Sequence, residues 1–269
     1  MADTSISRTG SAQKQASLWG RGARAYAEVM EDLAREFYAE VFQQLDVGPG
    51  TTLLDVGCGS GVAAAVAVER GAQVSGLDAT PELLAFARER VPDADFQEGE
   101  MEQLPYPDDT FDVVTGFNAF QYAADPNNAL VEARRVTRPG GAVMIATLGR
   151  PEHTDLATIL RVVGTFVPPP PPGAPGPFAL SEDGALAALV RKAGLQPRHG
   201  GRFVNRWELP ADLDITLGAL LSGGPITPII QQVGPEPLQA AIAEVLPGFR
   251  TSTGSYVLEN EFVYLIARA

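Results

Sequence analysis

The chain has 269 residues, a formal net charge of −13 at pH 7 and a single cysteine, Cys58. One cysteine excludes an internal disulfide and a cysteine-rich zinc site, and the acidic balance argues against nucleic acid as a partner. The sequence shows no signal peptide and no run of about 20 apolar residues that could cross a membrane, so we expect a cytoplasmic protein without a membrane partner.

The chain begins with a polar segment, residues 1–15, that we expect to be mobile. Residues 16–46 follow and are expected to form helices. This stretch contains a run rich in aromatic and basic residues, from Trp19 to Tyr26, before a change to an apolar, glycine-punctuated sequence near residue 50.

Residues 53–61, Leu-Leu-Asp-Val-Gly-Cys-Gly-Ser-Gly, are the most informative segment. The apolar start and the glycines at alternate positions predict a strand that enters a sharp turn, where the backbone can approach a ligand closely. The alanine-rich stretch 62–70 predicts a helix whose first amides point at that ligand. The segment therefore predicts a loop that binds a nucleotide-containing cofactor.

The glycine spacing distinguishes between cofactors. A dinucleotide-binding loop has the pattern G-x-G-x-x-G, which disfavours an NAD-dependent oxidoreductase here. Asp55 inside the strand end would repel a pyrophosphate and suits a ligand with a cationic amino-acid end. The motif resembles the first motif of class I S-adenosylmethionine-dependent methyltransferases. The resemblance implies S-adenosylmethionine as cofactor, S-adenosylhomocysteine as product, and these cofactor-binding residues: Asp55, Gly57, Cys58, Gly59 and Gly61.

A second acid ends the next predicted strand, residues 72–78. Asp78 lies 23 residues after Asp55, and a carboxylate at this place can accept both ribose hydroxyls of an adenosine. We assign Asp78 and its neighbour Ala79 to the cofactor. The alternative is that Asp78 only caps the helix that Thr80 and a following proline begin.

Two further positions match the family after its third strand. In the family, an acid after the strand's glycine accepts the adenine amino group, and the next residue offers its backbone amide. Glu100 and Met101 occupy these positions, where the family more often has Asp and Ala. A methionine also packs well on an aromatic face.

The stretches 104–114 and 134–141 resemble the ubiquinone/menaquinone-biosynthesis-like branch, also called methyltransferase type 11. The resemblance covers about residues 15 to 150 and is thin beyond. It implies that residues 16–46 fold over the methionine end of the cofactor, with Trp19 and Tyr26 lining that pocket. That these two residues only anchor a helix on the core is the alternative.

The expected architecture is a single α/β methyltransferase domain over residues 1–269. Alternating strands and helices over 50–148, the cofactor-binding core, indicate a parallel sheet buried on both faces. The family implies a Rossmann-like, seven-stranded, mostly parallel sheet with helices on both faces and one antiparallel strand, predicted at 255–268. Residues 151–250 hold core strand six and a helical cap inserted after strand five. They include a run of seven prolines in ten positions, 168–177.

The predicted function is methyl transfer to an oxygen, nitrogen or carbon of a small, mostly apolar metabolite. Phe117, Asn118 and Tyr122 follow strand four and are assigned to the acceptor, and Phe117 also to the cofactor. His153 is the candidate general base, with a solvated histidine as the alternative. No residue cluster has metal-ligand spacing, so no metal is expected.

Two questions stay open at this level. A member of the fold that binds the cofactor but transfers no methyl group would carry the same cofactor motifs. The oligomeric state is also open, with a homodimer as one option.

Overall fold

A seven-stranded sheet organises the part of the chain that the computed structural model describes, residues 10–169 and 176–269. Its strands are β1 (Thr52–Val56), β2 (Gln73–Asp78), β3 (Asp95–Glu98), β4 (Phe111–Phe117), β5 (Thr137–Leu148), β6 (Gln196–Leu209) and β7 (Tyr256–Arg268). The strand order is β3-β2-β1-β4-β5-β7-β6. β7 runs antiparallel to both neighbours and the other pairs are parallel, which confirms the predicted mostly parallel sheet with one antiparallel strand.

Helices cover both faces of this sheet, as predicted. They are α1 (Ala12–Gly20), α2 (Ala23–Ala25), α3 (Arg35–Gln44), α4 (Val62–Glu69), α5 (Pro81–Arg90), α6 (Pro126–Val136), α7 (Leu156–Gly164), α8 (Ala185–Lys192), α9 (Leu213–Leu220), α10 (Thr227–Val233) and α11 (Pro235–Val245). Side chains of a strand alternate between faces, so Leu53 and Leu54 of β1 belong to two different buried clusters. Leu53 shares its cluster with residues of α3, α4 and α5, whereas Leu54 shares its cluster with residues of α6 and α8.

Local signals in the sequence set the helix starts. The Asp125 carboxylate accepts the backbone amide of Asn127 at 2.9 Å, and a proline occupies the first turn of α6. Asp212 caps α9 in the same way, through the amide of Ile215 at 3.0 Å. These caps orient two helices that border the carboxyl end of the sheet.

The first helix begins within the segment that the sequence predicts to be mobile. Residues 1–9 lie outside the described part of the chain, but α1 already begins at Ala12. The reason is a contact with the loop after β3, where the Glu100 carboxylate accepts the Ala12 amide at 2.7 Å. Residues 12–15 are therefore ordered by the site that they cover.

The helices after β5 pack against the N-terminal helices. α9 contacts α2, α10 contacts α1, and α11 packs on α7 and α9. The Thr227 hydroxyl of α10 donates to the Leu18 carbonyl of α1 at 2.7 Å. Of the proline-rich run 168–177, residues 170–175 lie outside the described part. The N-terminal helices and the helices between β6 and β7 thus meet over the carboxyl edge of the sheet.

No single helix within residues 10–169 and 176–269 is long and apolar enough to span a membrane. By length and composition alone, one bent pair could do so, Leu213–Leu220 with Gly224–Val233, bent by 86°.

Phe37 fastens α3 to the sheet, and we expect its truncation to destabilise the fold strongly. The side chain is 1% exposed, and its ring stacks on Phe262 of β7 with centroids 4.8 Å apart. Phe37→Ala should lower the free energy of unfolding by about 3–5 kcal/mol, because a cavity replaces the ring. Urea denaturation measures the loss. Val204→Ala, at a residue 58% exposed on β6, is the control and should change stability by less than about 0.5 kcal/mol. A loss below about 1 kcal/mol in Phe37→Ala would show that this contact does not hold α3 on the sheet.

Candidate cofactor and acceptor site

A cleft opens at the carboxyl ends of β1, β2 and β4, where open α/β sheets bind ligands. It brings together most of the site residues predicted from the sequence, namely Trp19, Tyr26, Gly57, Gly59, Asp78, Ala79, Glu100, Met101, Phe117, Asn118 and Tyr122. The cleft is also lined by residues that sequence reasoning missed, including Ser11, Ala12 and Gln15 of the N-terminal segment. The Gln15 side chain donates to the Tyr122 carbonyl at 2.9 Å, which ties α1 to the rim.

The glycine turn forms a cradle of bare backbone, because other protein atoms already occupy the Cβ positions of Gly57 and Gly59. Gly57 and Gly59 have φ angles of +72° and +54°, which side-chain-bearing residues rarely adopt. A Cβ atom on Gly57 would lie 2.5 Å from the Cβ of Ala119, and one on Gly59 would lie 2.8 Å from a carboxylate oxygen of Glu31. The turn is therefore built for bare backbone facing the cleft.

Asp78 lies at the end of β2 on the same cleft. Its two oxygens accept the amides of Gly59 at 2.9 Å and Thr80 at 2.8 Å. A carboxylate has about four lone-pair sites, so both oxygens keep capacity for a ligand hydroxyl. Burial raises the pKa of Asp78, and the amide hydrogen bonds act in the opposite direction. The carboxylate both shapes the turn and lines the cleft.

The Glu100 carboxylate is directed toward the start of α1 as well as lining the cleft. It accepts the Ala12 amide at 2.7 Å and the Glu102 amide at 3.0 Å. Met101 lies beside it in the cleft wall. The carboxylate predicted for the adenine amino group therefore also has a structural task, which the sequence alone does not reveal.

Three of the predicted cofactor residues lie beneath the cleft and do not line it. Asp55 is 2% exposed and accepts the Thr115 hydroxyl at 2.8 Å. Cys58 is buried, and burial raises the pKa of its thiol. Gly61 packs against α5, where its Cβ position would lie 3.0 Å from that of Ala87. These residues set the shape and charge of the turn from below.

Glu31 is the main residue that the sequence analysis missed. It follows the π-helical turn Tyr26–Met30, is 5% exposed, and reaches across to the glycine turn. Its carboxylate accepts the amides of Ser60 at 2.7 Å and Val62 at 3.4 Å. In the sequence it is one acid among several in a helical stretch, and only the folded packing places it over the turn.

The carboxylates around the turn form an acidic cluster of Glu31, Asp55 and Asp78. The pKa values of Glu31 and of Asp55 are both raised to about 7, chiefly by burial, and the charges of Glu31 and Asp78 contribute to the rise at Asp55. The guanidinium of Arg90 lowers the pKa of Glu31, but it donates its own hydrogen bonds to Ser60 and to the Ala27 carbonyl. The cluster therefore favours a cationic group in the space above it.

A larger chamber of about 590 Å³ adjoins the cleft. The two share the boundary residues Trp19, Tyr26, Phe117, Asn118 and Tyr122. Apolar and aromatic side chains from the N-terminal helices, the sheet and the cap dominate the lining, among them Phe37, Leu148, Leu156, Trp207, Ile226 and Phe262. Asn118 at the boundary has a φ of +52°, and its side chain accepts a hydrogen bond from Gln121. The chamber is placed to hold a second, mostly apolar molecule next to the cleft.

His153 is not brought to this site. Its side chain is 55% exposed, and its Nδ1 lies 3.3 Å from a carboxylate oxygen of Glu261. Neither the cleft nor the chamber includes it among its lining residues. The reason is local. Glu261 on β7, which contacts the histidine, also binds Arg202 at 2.7 Å, and its side chain lies on the face of the sheet opposite that of the chamber residue Phe262. In residues 10–169 and 176–269, no group of three or more His, Cys, Asp or Glu side chains could hold a metal ion.

Comparison with known proteins agrees with this geometry. A family model described as a methyltransferase domain matches residues 54–145. A demethylmenaquinone methyltransferase of Streptomyces griseus is 31% identical over 173 residues, which cover 60% of this chain and 75% of that protein. The chain belongs to the methyltransferase family.

Other relatives of this methyltransferase match over less of their length. A malonyl-[acyl-carrier protein] O-methyltransferase of Serratia marcescens is 36% identical over 145 residues, 54% of this chain and 56% of that protein. The chain thus spans about half the length of that relative. Among solved structures, the [4+2]-cyclase SpnF shares the fold at a TM-score of 0.57 and 20% identity, covering 89% of this chain and 83% of SpnF. The YcgJ protein of Bacillus subtilis shares it at 0.56 and 20% identity, covering 87% and 99%.

The acidic cluster predicts a pH dependence of stability. The folded pKa of Asp55 lies above its usual value, so the folded chain binds the extra proton between about pH 4 and pH 7. The contribution of Asp55 to the free energy of unfolding should therefore fall as the pH rises through this window and level off above it. Asp55→Asn should remove this fall. The free energy of unfolding of the variant minus that of the natural chain should therefore increase with rising pH, by up to about 1.4 kcal/mol per pH unit.

Urea denaturation at several pH values measures this difference. Asp93→Asn, at an exposed acid, is the matched control and should follow the natural chain at every pH. A stability difference between Asp55→Asn and the natural chain that stays constant from about pH 4 to pH 7 would contradict the account.

Proposed function

We propose that this methyltransferase transfers a methyl group from S-adenosylmethionine to an oxygen, nitrogen or carbon of a small, mostly apolar metabolite. The observation that carries the proposal is the side-chain-free glycine cradle at the ends of β1 and β2, with the acidic cluster around it and an apolar chamber beside it. A sulfonium and an ammonium group are cations, and the cluster offers the complementary charge.

The residues of the cleft fit the cofactor. Asp78 keeps lone pairs for the ribose hydroxyls, and Met101 offers a soft apolar surface to the adenine. The backbone of Gly57 and Gly59 lines the cleft, where the amino-acid end would lie against it. Glu100 is assigned to the adenine amino group in addition to its contact with α1. When bound, the cofactor supplies an electrophilic methyl group.

The protein's part in the reaction is then orientation and exclusion of water. Trp19 and Tyr26 from the N-terminal helices and Phe117 from β4 border both spaces, so they would hold the methyl group at the entrance to the chamber. Asn118 and Tyr122 would orient the acceptor there. A chamber of about 590 Å³ lies within the usual range for small-molecule sites, about 300–1,000 Å³.

Incubation of the protein with labelled S-adenosylmethionine and a metabolite extract tests the reaction. The proposal predicts label in a small organic product. Cofactor binding with no transfer to any extract component would support the alternative, a cofactor-binding member of the fold that does not transfer methyl groups.

Asp78 should contribute strongly to cofactor affinity. Asp78→Asn keeps the size of the side chain but removes its charge, so a charge-assisted contact to the ribose is lost. Affinity for S-adenosylmethionine, measured by calorimetry, should fall about tenfold or more. Glu89→Gln, at an exposed acid of the following helix, makes the same change of charge and should leave the affinity unaltered. Equal affinities of a folded Asp78→Asn protein and the natural chain would refute the ribose role of Asp78.

A further inference from the structure

Glu31 is the one charged side chain in the lining of the acceptor chamber, within the part of the chain that the structure describes. Every other lining residue is apolar, aromatic or neutral and polar, and no lysine, arginine or histidine takes part. The described lining of the chamber therefore presents a single, negative charge to its contents.

The position of Glu31 is fixed from one side only. The amides of Ser60 and Val62 donate to its two oxygens, one bond to each. A carboxylate has about four lone-pair sites, so acceptor capacity remains on both oxygens. The side chain is also close to the turn that lines the cofactor cleft, since the Cβ position of Gly59 lies 2.8 Å from Oε2. Glu31 thus lies in the wall of the chamber, next to the turn that lines the cleft.

Among the groups around Glu31, only Arg90 is a cation, and it offsets the charge in part. Tyr26, Tyr38, Cys58 and Asp55 are close enough for its charge to raise their pKa values, and each is neutral or acidic. Arg90 approaches from α5, but its guanidinium donates to Ser60 and to the carbonyl of residue 27. A carboxylate left in an apolar space favours a proton donor or a cation as its next partner.

We propose that Glu31 selects the methyl acceptor: its carboxylate binds the N–H or O–H group of an apolar amine or alcohol and takes the proton as the methyl group is transferred. This inference rests on the proposed function. The acceptor nitrogen or oxygen forms a bond to the methyl carbon, the sulfur–carbon bond breaks, and its electron pair stays on sulfur as a neutral thioether. The proton of the acceptor passes to the carboxylate, so that charge and atoms balance.

The same geometry rejects anionic acceptors. A carboxylate or phosphate group in the chamber would lose its hydration, meet the charge of Glu31, and find no cationic side chain in the described lining. The pKa of Glu31, raised by burial to about 7, places its proton uptake close to neutral pH, where a general base works best. The acceptor therefore carries a neutral or cationic group on an apolar body, and it reacts as the neutral amine or alcohol. An ammonium group has no lone pair for the methyl carbon until the carboxylate has taken a proton from it.

Three probes with one apolar body test this specificity: naphthylmethylamine, naphthylmethanol and naphthoate. Their binding is measured by calorimetry or NMR to the protein saturated with S-adenosylhomocysteine, at about pH 8, where Glu31 is ionised. We expect the amine to bind about tenfold or more tightly than naphthoate, with the alcohol between them. The amine, protonated throughout, should bind more weakly at about pH 6, because Glu31 is then protonated.

Glu31→Gln should reduce the amine-to-naphthoate ratio about tenfold and remove its pH dependence. Asp32→Asn changes the charge of the exposed neighbouring residue and should preserve both. Naphthoate binding to the natural chain as tightly as the amine does would overturn the proposal. An unchanged ratio in Glu31→Gln would overturn it too, whether or not that variant loses affinity for S-adenosylmethionine. Failure of the natural chain to bind S-adenosylmethionine would instead count against the proposed function.

Discussion

Three carboxylates around one glycine turn, two of them buried and one half-buried, are the constraint on which the site depends. Asp55 and Asp78 end adjacent parallel strands, so the sheet itself brings both acids to one edge. Glu31, which follows the helical turn Tyr26–Met30, is the third carboxylate and contacts the glycine turn through the Ser60 amide. Burying like charges together costs free energy unless hydrogen bonds or an opposite charge offset it. Backbone amides and the Thr115 hydroxyl supply part of this compensation, and the proposed cofactor would supply the rest as a cation.

The acceptor chamber is a product of packing between distant parts of the chain. The N-terminal helices supply Trp19 and Phe37. The sheet supplies Trp207 and Phe262, and the cap supplies Ile226. α9 and α10 rest on α2 and α1, so the cap and the N-terminal helices close the space together. The proposed reaction site therefore joins a local turn, built from consecutive residues, to a chamber whose lining comes from several separate segments.

The sequence predicts what consecutive residues determine. The strand, glycine turn and helix around Asp55, and the acid that ends β2, follow from local pattern, and the seven-stranded sheet follows from the family resemblance. Glu31 could not be found this way, because its role depends on a helix folding over a turn 29 residues later. The base assigned to His153 relied on proximity to β5 along the chain. Contacts of Glu261 with Arg202 and with the histidine, which arise only when β6 and β7 pair, place that side chain outside the site.

The most direct test of the account is the proton balance of cofactor binding. If a cationic cofactor compensates the acidic cluster, carboxylates that are partly protonated in the free protein must ionise when it binds. Calorimetry of S-adenosylmethionine binding at about pH 6.5, in two buffers of different ionisation enthalpy, measures this exchange, since the amino group of the ligand is protonated at that pH. The account predicts a net release of protons that is reduced in Asp55→Asn. Binding with no proton exchange, or with proton uptake, would contradict it.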